Sequence, residues 1–378
     1  MDFQLTEDQR AYAATAHDVF ADYCSDEQMQ RFDKSGLPFQ QDLWQQCIAT
    51  GLHTMIVPEV EDGLGLGMAE LINVLEEQGQ ALALVPLWEH QLAAAALADF
   101  GTPGLRRDVL AAAVAGTALL TVALASVASP QGHTLRAETN DSGWVLNGHA
   151  TAVPFGGSAT HALVVAEVEG AARIFLADLS VAGVRRITGV SQRHEQIADV
   201  FFDNALIGTD VLLAESALRW LESRAIACLA ALQVGVSVQQ LTRTVQYVSE
   251  RKQFGRPIGT FQLVAGQMAD GHIALEALRT SLWQLTYRLD AGVGAMPQAY
   301  ATRYLACEAA HRIGHMAQHV HGGIGVDTSF PIHRFLFWSR ALGVALGGTE
   351  CNLAKLGDWL ADHDLLGWKY DLAEDKTF

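Results

Sequence analysis

The sequence predicts an α+β fold, mostly α, arranged as helices, a small β-domain and helices again. Three observations predict it. Up to residue 117, apolar positions recur at three- and four-residue spacing, the period of a half-buried helix. Between residues 118 and 213, the pattern changes to short β-type runs separated by turn residues. From residue 214 the helical period returns in long stretches with few internal charges, the mark of helix-on-helix packing and a subunit interface. The predicted domains are therefore 1–117, 118–213 and 214–378, the last a helical bundle.

The elements follow in order. Thr6 with Gln9 makes a capping-box start for the first helix. Leu43, Trp44, Cys47 and Ile48 have helical spacing. The Gly/Pro-rich stretch 57–67 breaks the pattern as a loop, and a further helix is expected over 69–77, with Pro86 and Pro103 punctuating the rest. In the middle segment, runs beginning at Thr121, Gly143, Ala162, Arg173 and Asp199 read as strands, with Asn140–Gly143 and Asn147–Gly148 as turns between them. Long amphipathic helices are expected over 216–251, 262–291 and 297–320. The tail from Gly367 to Phe378 carries no readable role.

Composition excludes several classes. Lys and Arg number 25 against 42 Asp and Glu, a net charge of −17, so nucleic acid and anionic lipid are not expected partners. Half of the 378 residues are apolar and mean hydropathy is +0.14, which suits a soluble protein with much buried surface. The run Val109–Ala128 is built from small residues and contains Gly116, so it is not read as a membrane span. The start of the chain is polar and acidic, unlike a signal peptide. Five scattered cysteines lack metal or redox spacing and read as reduced, cytoplasmic thiols. Gly63–Gly67 (GLGLG) has the wrong spacing for a dinucleotide loop and follows no strand; no P-loop, HExxH or GxSxG is present. Metal-free, cofactor-assisted chemistry remains.

Two motifs carry the chemistry. Glu250–Gln262 (ERKQFGRPIGTFQ) places Arg251 at a helix end beside Gly255 and Pro257. Such an Arg can hold a pyrophosphate, or simply offset a helix C-terminus. His321–Gly325 (HGGIG) follows a helix, and its paired glycines permit close approach of a ligand or merely end that helix. His311, His315 and His333 have no ligand spacing and read as solvated or hydrogen-bonded surface histidines. No metal site is expected.

Together, Arg251–Gln262 and His321–Arg334 resemble the acyl-CoA dehydrogenase family, flavoproteins that desaturate acyl-CoA thioesters beside the carbonyl. The resemblance implies that family's fold: an N-terminal helical domain, a small β-domain and a C-terminal four-helix bundle. It implies FAD, with Arg251, Gln253, Phe254, Gln262, His319, Gly322 and Gly323 as cofactor-binding residues. His319 stands where the family usually has Gln, with Gln318 beside it. Residues 327–334 resemble the continuation found in bacterial subfamilies acting on steroid-type CoA esters.

Other family features are missing. Where the family has a Trp-Ile-Thr segment against the flavin ring, this chain has Ala152, Val153 and Pro154, offering neither a ring to stack nor, at the proline, a backbone donor. Ala125–Pro130 replaces the usual Thr-Glu-Pro-Gly-rich loop. The α-proton needs a positioned carboxylate. The two family positions for that Glu fall on Ala225 and Gly347; Glu222 and Glu350 are shifted candidates, otherwise read as a solvated helix Glu and a first-turn Glu.

In the family, the Arg motif and paired glycines serve the neighbouring subunit's flavin, whereas the ring segment and base serve their own. The first set is kept here and the second lost. The expectation is a subunit of an FAD-dependent dehydrogenase forming 2,3-enoyl-CoA, sharing FAD with a catalytic paralogue in an α2β2 assembly, cytoplasmic, with electron-transfer flavoprotein as a candidate acceptor. Two alternatives stand beside it: a self-sufficient homo-oligomer with a relocated Glu, and a flavin-free CoA-thioester-binding or scaffold protein.

Overall fold

The computed structural model of the protein describes residues 5–129 and 132–363, so the expected C-terminal extension lies outside the described residues. In chain order the helices are α1 (Glu7–Tyr23), α2 (Asp26–Ser35), α3 (Gln41–Ala49), α4 (Met68–Ala81), α5 (Leu87–Phe100), α6 (Pro103–Leu105) and α7 (Ala111–Val114). Seven strands follow: β1 (Leu120–Ala123), β2 (Arg136–Asn140), β3 (Gly143–Pro154), β4 (His161–Val168), β5 (Ala171–Asp178), β6 (Val184–Val190) and β7 (Gln196–Gly208). Then come α8 (Ala217–Glu250), the two-residue strands β8 (Lys252–Gln253) and β9 (Arg256–Pro257), α9 (Gln262–Asp290), α10 (Met296–His321), α11 (Ile332–Val344) and α12 (Gly348–Asp362).

The chain divides into two compact units. Among the described residues, one comprises 5–31, 72–83 and 226–363; the other comprises 32–71, 84–129 and 132–225.

The first unit is helical. Its start is capped as the sequence predicts: the Gln9 backbone N–H donates to Thr6 Oγ1 (3.1 Å), and the Thr6 N–H donates to Gln9 Oε1 (3.0 Å). The long helices exist because their leucines and alanines bury one face after another: Leu275, Leu278, Leu282, Leu285 and Leu289 on α9 are buried, as are Ala306, Ala310, Ile313 and Ala317 on α10, and the two helices pack together. Where α4 crosses α8, two glycines let backbones touch. A Cβ on Gly79 would stand 2.2 Å from the Leu232 carbonyl oxygen, and one on Gly235 only 2.0 Å from that of Glu76. No other residue fits either position without moving a helix.

The second unit holds a seven-stranded sheet in the order β1-β4-β2-β3-β7-β6, with β5 paired to β4. Its core is formed by Leu146, Val153, Val164, Phe175, Val200 and Phe202, all buried. Asn140–Gly143 makes the β2–β3 turn, as expected. Asn147–Gly148 does not turn the chain: it lies within β3, beside a register shift in the β3–β7 ladder, because the Asn147 side chain takes the backbone N–H of Asn204 (2.8 Å). Strand β6 escapes the apolar pattern because it is a sheet edge with nearly every residue exposed, and β2 because four of its five residues are exposed.

Val109–Ala128 is shared between α7, β1 and short turns. Helix α8 is the one helix among the described residues long and apolar enough to cross a membrane, and 83% of its apolar window is buried within the protein, as in a core helix.

Candidate cofactor and active site

The Arg motif sits at the end of α8. Arg251 continues from the helix through its N–H to the Tyr247 carbonyl (2.8 Å), and its own carbonyl takes the Ile258 N–H (2.8 Å), closing the β8–β9 hairpin. The hairpin tip is Phe254 (φ +52°) and Gly255 (φ +78°), two consecutive left-handed residues as the tight two-residue turn demands. A phenylalanine in that conformation is strained, yet its ring is 93% exposed. Arg251, Gln253 and Gln262 are exposed as well, and Arg256 stacks over Phe261 at 4.2 Å.

The paired glycines come to the same end of the bundle. His321, the last residue of α10, stacks on Tyr247 with ring centroids 4.2 Å apart, and Phe330 packs edge-on against Tyr247. His321 Nδ1–H donates to the Ala317 carbonyl (2.8 Å), and burial lowers its pKa, which keeps the ring neutral. Gly322 adopts φ +62°, and a Cβ on Gly322 or Gly323 would meet nothing within 4 Å. His319 is exposed, while the amide of Gln318, inside the turn, finds no hydrogen-bond partner among the described residues. A cationic, bare-backbone surface of this kind fits a phosphate-bearing group approaching from outside the chain.

The segment expected to face the ring, in the second unit, behaves differently. Thr151 and Ala152 form a bulge in β3, both opposite Asp199 of β7. Ala152 has φ +49°, and its N–H donates to Asp199 Oδ1 (2.9 Å). Pro154 has no N–H, and its carbonyl accepts from Thr121 Oγ1 (2.6 Å). The N–H groups of Phe155, Gly156, Ser158 and Ala159 go to the carbonyls of Gln196, Val153, Phe155 and Phe155. The Gln196 side chain takes the Ser158 hydroxyl (2.9 Å), and Arg186 donates to the carbonyls of Gly157 and Ala159. The Ala152 N–H is thus already used within the chain and Pro154 has none to offer, so neither residue fits an isoalloxazine ring that needs a hydrogen bond from it.

The two positions expected for a base carry no carboxylate. Ala225 is fully buried. Gly347 has φ +87° between Leu346 (φ +51°) and Gly348 (φ +63°). That turn is pinned from inside: the buried Arg303 guanidinium donates to the carbonyls of Leu342 and Ala345, and Asn352 Nδ2 to those of Leu346 (2.9 Å) and Gly348 (2.7 Å). Glu350 is exposed in the first turn of α12, as expected. Glu222 is not the solvated helix residue expected: it is only 8% exposed, because that face of α8 is turned inward with Leu221 and Ala225. His333 is likewise buried rather than on the surface, with its Nδ1 at 2.8 Å from the Phe330 carbonyl, whereas His311 and His315 are exposed.

Sequence reasoning misses Asp199, Thr121, Gln196 and Arg186, because their role lies in cross-strand hydrogen bonds that no local motif announces. The β-bulge partner of residues 151–152 becomes visible only when register is known.

Known proteins place this geometry. Residues 6–117 match the model of the acyl-CoA dehydrogenase N-terminal domain, and residues 222–361 that of the acyl-CoA dehydrogenase C-terminal domain. The chain is 35% identical to acyl-CoA dehydrogenase FadE27 of Mycobacterium tuberculosis, over 96% of this chain and 99% of that protein. It superposes on a chain of the ChsE4-ChsE5 complex from Mycobacterium tuberculosis with a TM-score of 0.91 and 32% identity, covering 97% and 100% of the two chains. A chain of a variant of the Tcur3481-Tcur3483 steroid ACAD superposes with a TM-score of 0.88 and 34% identity, over 94% and 98%. With both helical domains matched and near-complete coverage of these relatives, the chain belongs to the acyl-CoA dehydrogenase family, whose members are CH–CH oxidoreductases.

Proposed function

We propose that this chain is the partner subunit of an FAD-dependent acyl-CoA dehydrogenase that forms a 2,3-enoyl-CoA, completing the FAD site of a catalytic paralogue in an α2β2 assembly. The observation that carries the proposal is the division of its residues. Arg251, Gln253, Phe254, Gln262, His319, Gly322 and Gly323 are presented outward from one end of the bundle, with open space over the glycines. Within segment 152–159, by contrast, the N–H groups of Ala152, Phe155, Gly156, Ser158 and Ala159 go to Asp199, Gln196 and the segment's own carbonyls, and neither family base position carries a carboxylate.

FAD, when bound, supplies the hydride acceptor. The chain's own residues then have limited tasks. Arg251 neutralises a pyrophosphate, the bare backbone of Gly322 and Gly323 admits the adenosine half, and Phe254 covers it. Removal of the α-proton falls to a carboxylate of the paralogue. The steroid ACAD among the relatives supports a bulky, steroid-type acyl-CoA as substrate. Electron-transfer flavoprotein is the proposed acceptor and the cytoplasm the proposed location.

Co-expression with a neighbouring paralogue tests this. The pair should carry one FAD per two chains and reduce dye with acyl-CoA, and the chain alone should do neither. In the pair, Arg251→Ala should weaken FAD retention by about 1.5–3 kcal/mol, the usual strength of a charge-assisted contact. A pair without flavin would leave the CoA-binding or scaffold reading.

One observation favours a second reading. Glu222 is buried on α8, less than one turn before Ala225, where a relocated base would stand in a self-sufficient homo-oligomer. Turnover by the purified homo-oligomer, abolished by Glu222→Gln, would establish that reading and end the first.

A further inference from the structure

Helix α10 carries a row of histidines on its outward face. His311, His315 and His319 recur every four residues and are all exposed, while Ile313, Met316 and Ala317 between them are buried. On a helix such residues stand one above the other, with Cβ atoms about 5–6 Å apart. His319 belongs to the cofactor surface described above. The other two have no part in it.

Along the sequence His311 and His315 read as separate solvated side chains. In the structure their rings touch, with centroids 4.4 Å apart and planes inclined at 50°. The pair is neither stacked nor edge-on, so no ring-to-ring preference accounts for the contact. Metal–imidazole bonds are about 2.0–2.1 Å long, which sets two nitrogens on one ion about 3 Å apart. Rings with centres 4.4 Å apart reach that separation by turning about their own side-chain bonds, with α10 unchanged.

The surroundings select the ion. Among the described residues no group of three or more His, Cys, Asp or Glu could hold a metal, so water completes the coordination. Arg340, exposed on α11, acts on His315 through its positive charge and opposes any cation held by charge alone. Ca²⁺ and Mg²⁺ seek oxygen ligands and find none here. Late first-row ions bond strongly to neutral imidazole and suit the pair.

We propose that His311 and His315 form a bidentate site for a late first-row divalent ion (Ni²⁺, Cu²⁺ or Zn²⁺), which clamps one turn of α10. The inference concerns this chain's own helix and stands whether or not it serves a partner's flavin.

Calorimetric titration of the purified full chain with NiCl₂ tests it. His311→Asn and His315→Asn should each weaken the tightest Ni²⁺ binding by at least about tenfold, the loss that removing even an outer-shell partner brings. His319→Asn should leave it unchanged, and MgCl₂ should give no binding heat. With CuCl₂, electron paramagnetic resonance should report two imidazole nitrogens on the ion in wild type and one in either variant. Equal affinity in wild type and both variants, a loss confined to His319→Asn, or a single nitrogen in wild type overturns the site.

Discussion

Replacing Gly235 with alanine places a methyl carbon 2.0 Å from the Glu76 carbonyl oxygen and 2.8 Å from the Gln80 nitrogen. A carbon and a carbonyl oxygen rest at about 3.3 Å or more, so α4 and α8 must part by on the order of 1 Å. Two effects compete. Alanine is the better helix former by about 1 kcal/mol, whereas overpacking costs about 1–3 kcal/mol. The obstacles here are backbone atoms, which no rotamer change removes, and the parting also loosens Val74, Leu75, Leu232 and Val236, all fully buried. The clash wins, with a net loss near ~2 kcal/mol. Gly79→Ala, 2.2 Å from the Leu232 carbonyl oxygen, should cost about the same. A single widening admits both methyls, so the double variant should lose little more than either single one, a coupling of roughly 1–2 kcal/mol. Urea denaturation of the three variants at constant m-value measures this. Single variants within about 0.5 kcal/mol of wild type, or a double variant equal to the sum, would refute the reasoning.

Three further outcomes are expected. Phe254→Asn should have opposite effects on chain and assembly: asparagine tolerates the left-handed tip at φ +52°, so the chain gains up to about 1 kcal/mol in melting experiments, while assembly with the paralogue, followed by analytical ultracentrifugation, weakens by about 2 kcal/mol. Glu76, beside Glu77, Glu276 and Arg279, has its pKa raised from 4.5 to about 7, chiefly by burial. A raised acid stabilises the fold below its unfolded value, and that stability is lost as pH climbs through the folded one. Wild type should therefore lose about 1–3 kcal/mol between pH 4.5 and 7 relative to Glu76→Gln; parallel urea midpoints in the two proteins would sink the assignment. Arg303→Met strands the carbonyls of Leu342 and Ala345 and should cost about 2–4 kcal/mol, with faster amide exchange at 345–349; unchanged exchange there would show that Asn352 alone holds the turn.

Much of the fold was legible because long periodic stretches leave few choices. The helices expected over 216–251, 262–291 and 297–320 occur within a residue or so as α8, α9 and α10. Strand β6 was not legible: an edge strand buries neither face, so Val184–Val190 has no alternation to read. Asn147–Gly148 misled for the opposite reason, since a residue pair that favours tight turns was used to kink a continuous strand. That Ala152, Pro154, Ala225 and Gly347 are not the residue types the resemblance leads one to expect could be read directly. That Asp199 occupies the Ala152 N–H could not, because it depends on which residue of β7 faces the bulge. Burial of Glu222 and His333 was invisible for the same reason: a single charged or polar residue on a helix does not disclose which side faces inward.

The left-handed run at Leu346, Gly347 and Gly348 bears on any attempt to re-engineer such a chain. Placing Glu at position 347 by one codon change would force an acid into a torsional well that L-residues avoid, at roughly 1–2 kcal/mol, on a turn riveted by Arg303 and Asn352. Recovering an acid there means redrawing the corner between α11 and α12 before any side chain is chosen. A lineage that adopted this corner would find the way to an acid there long.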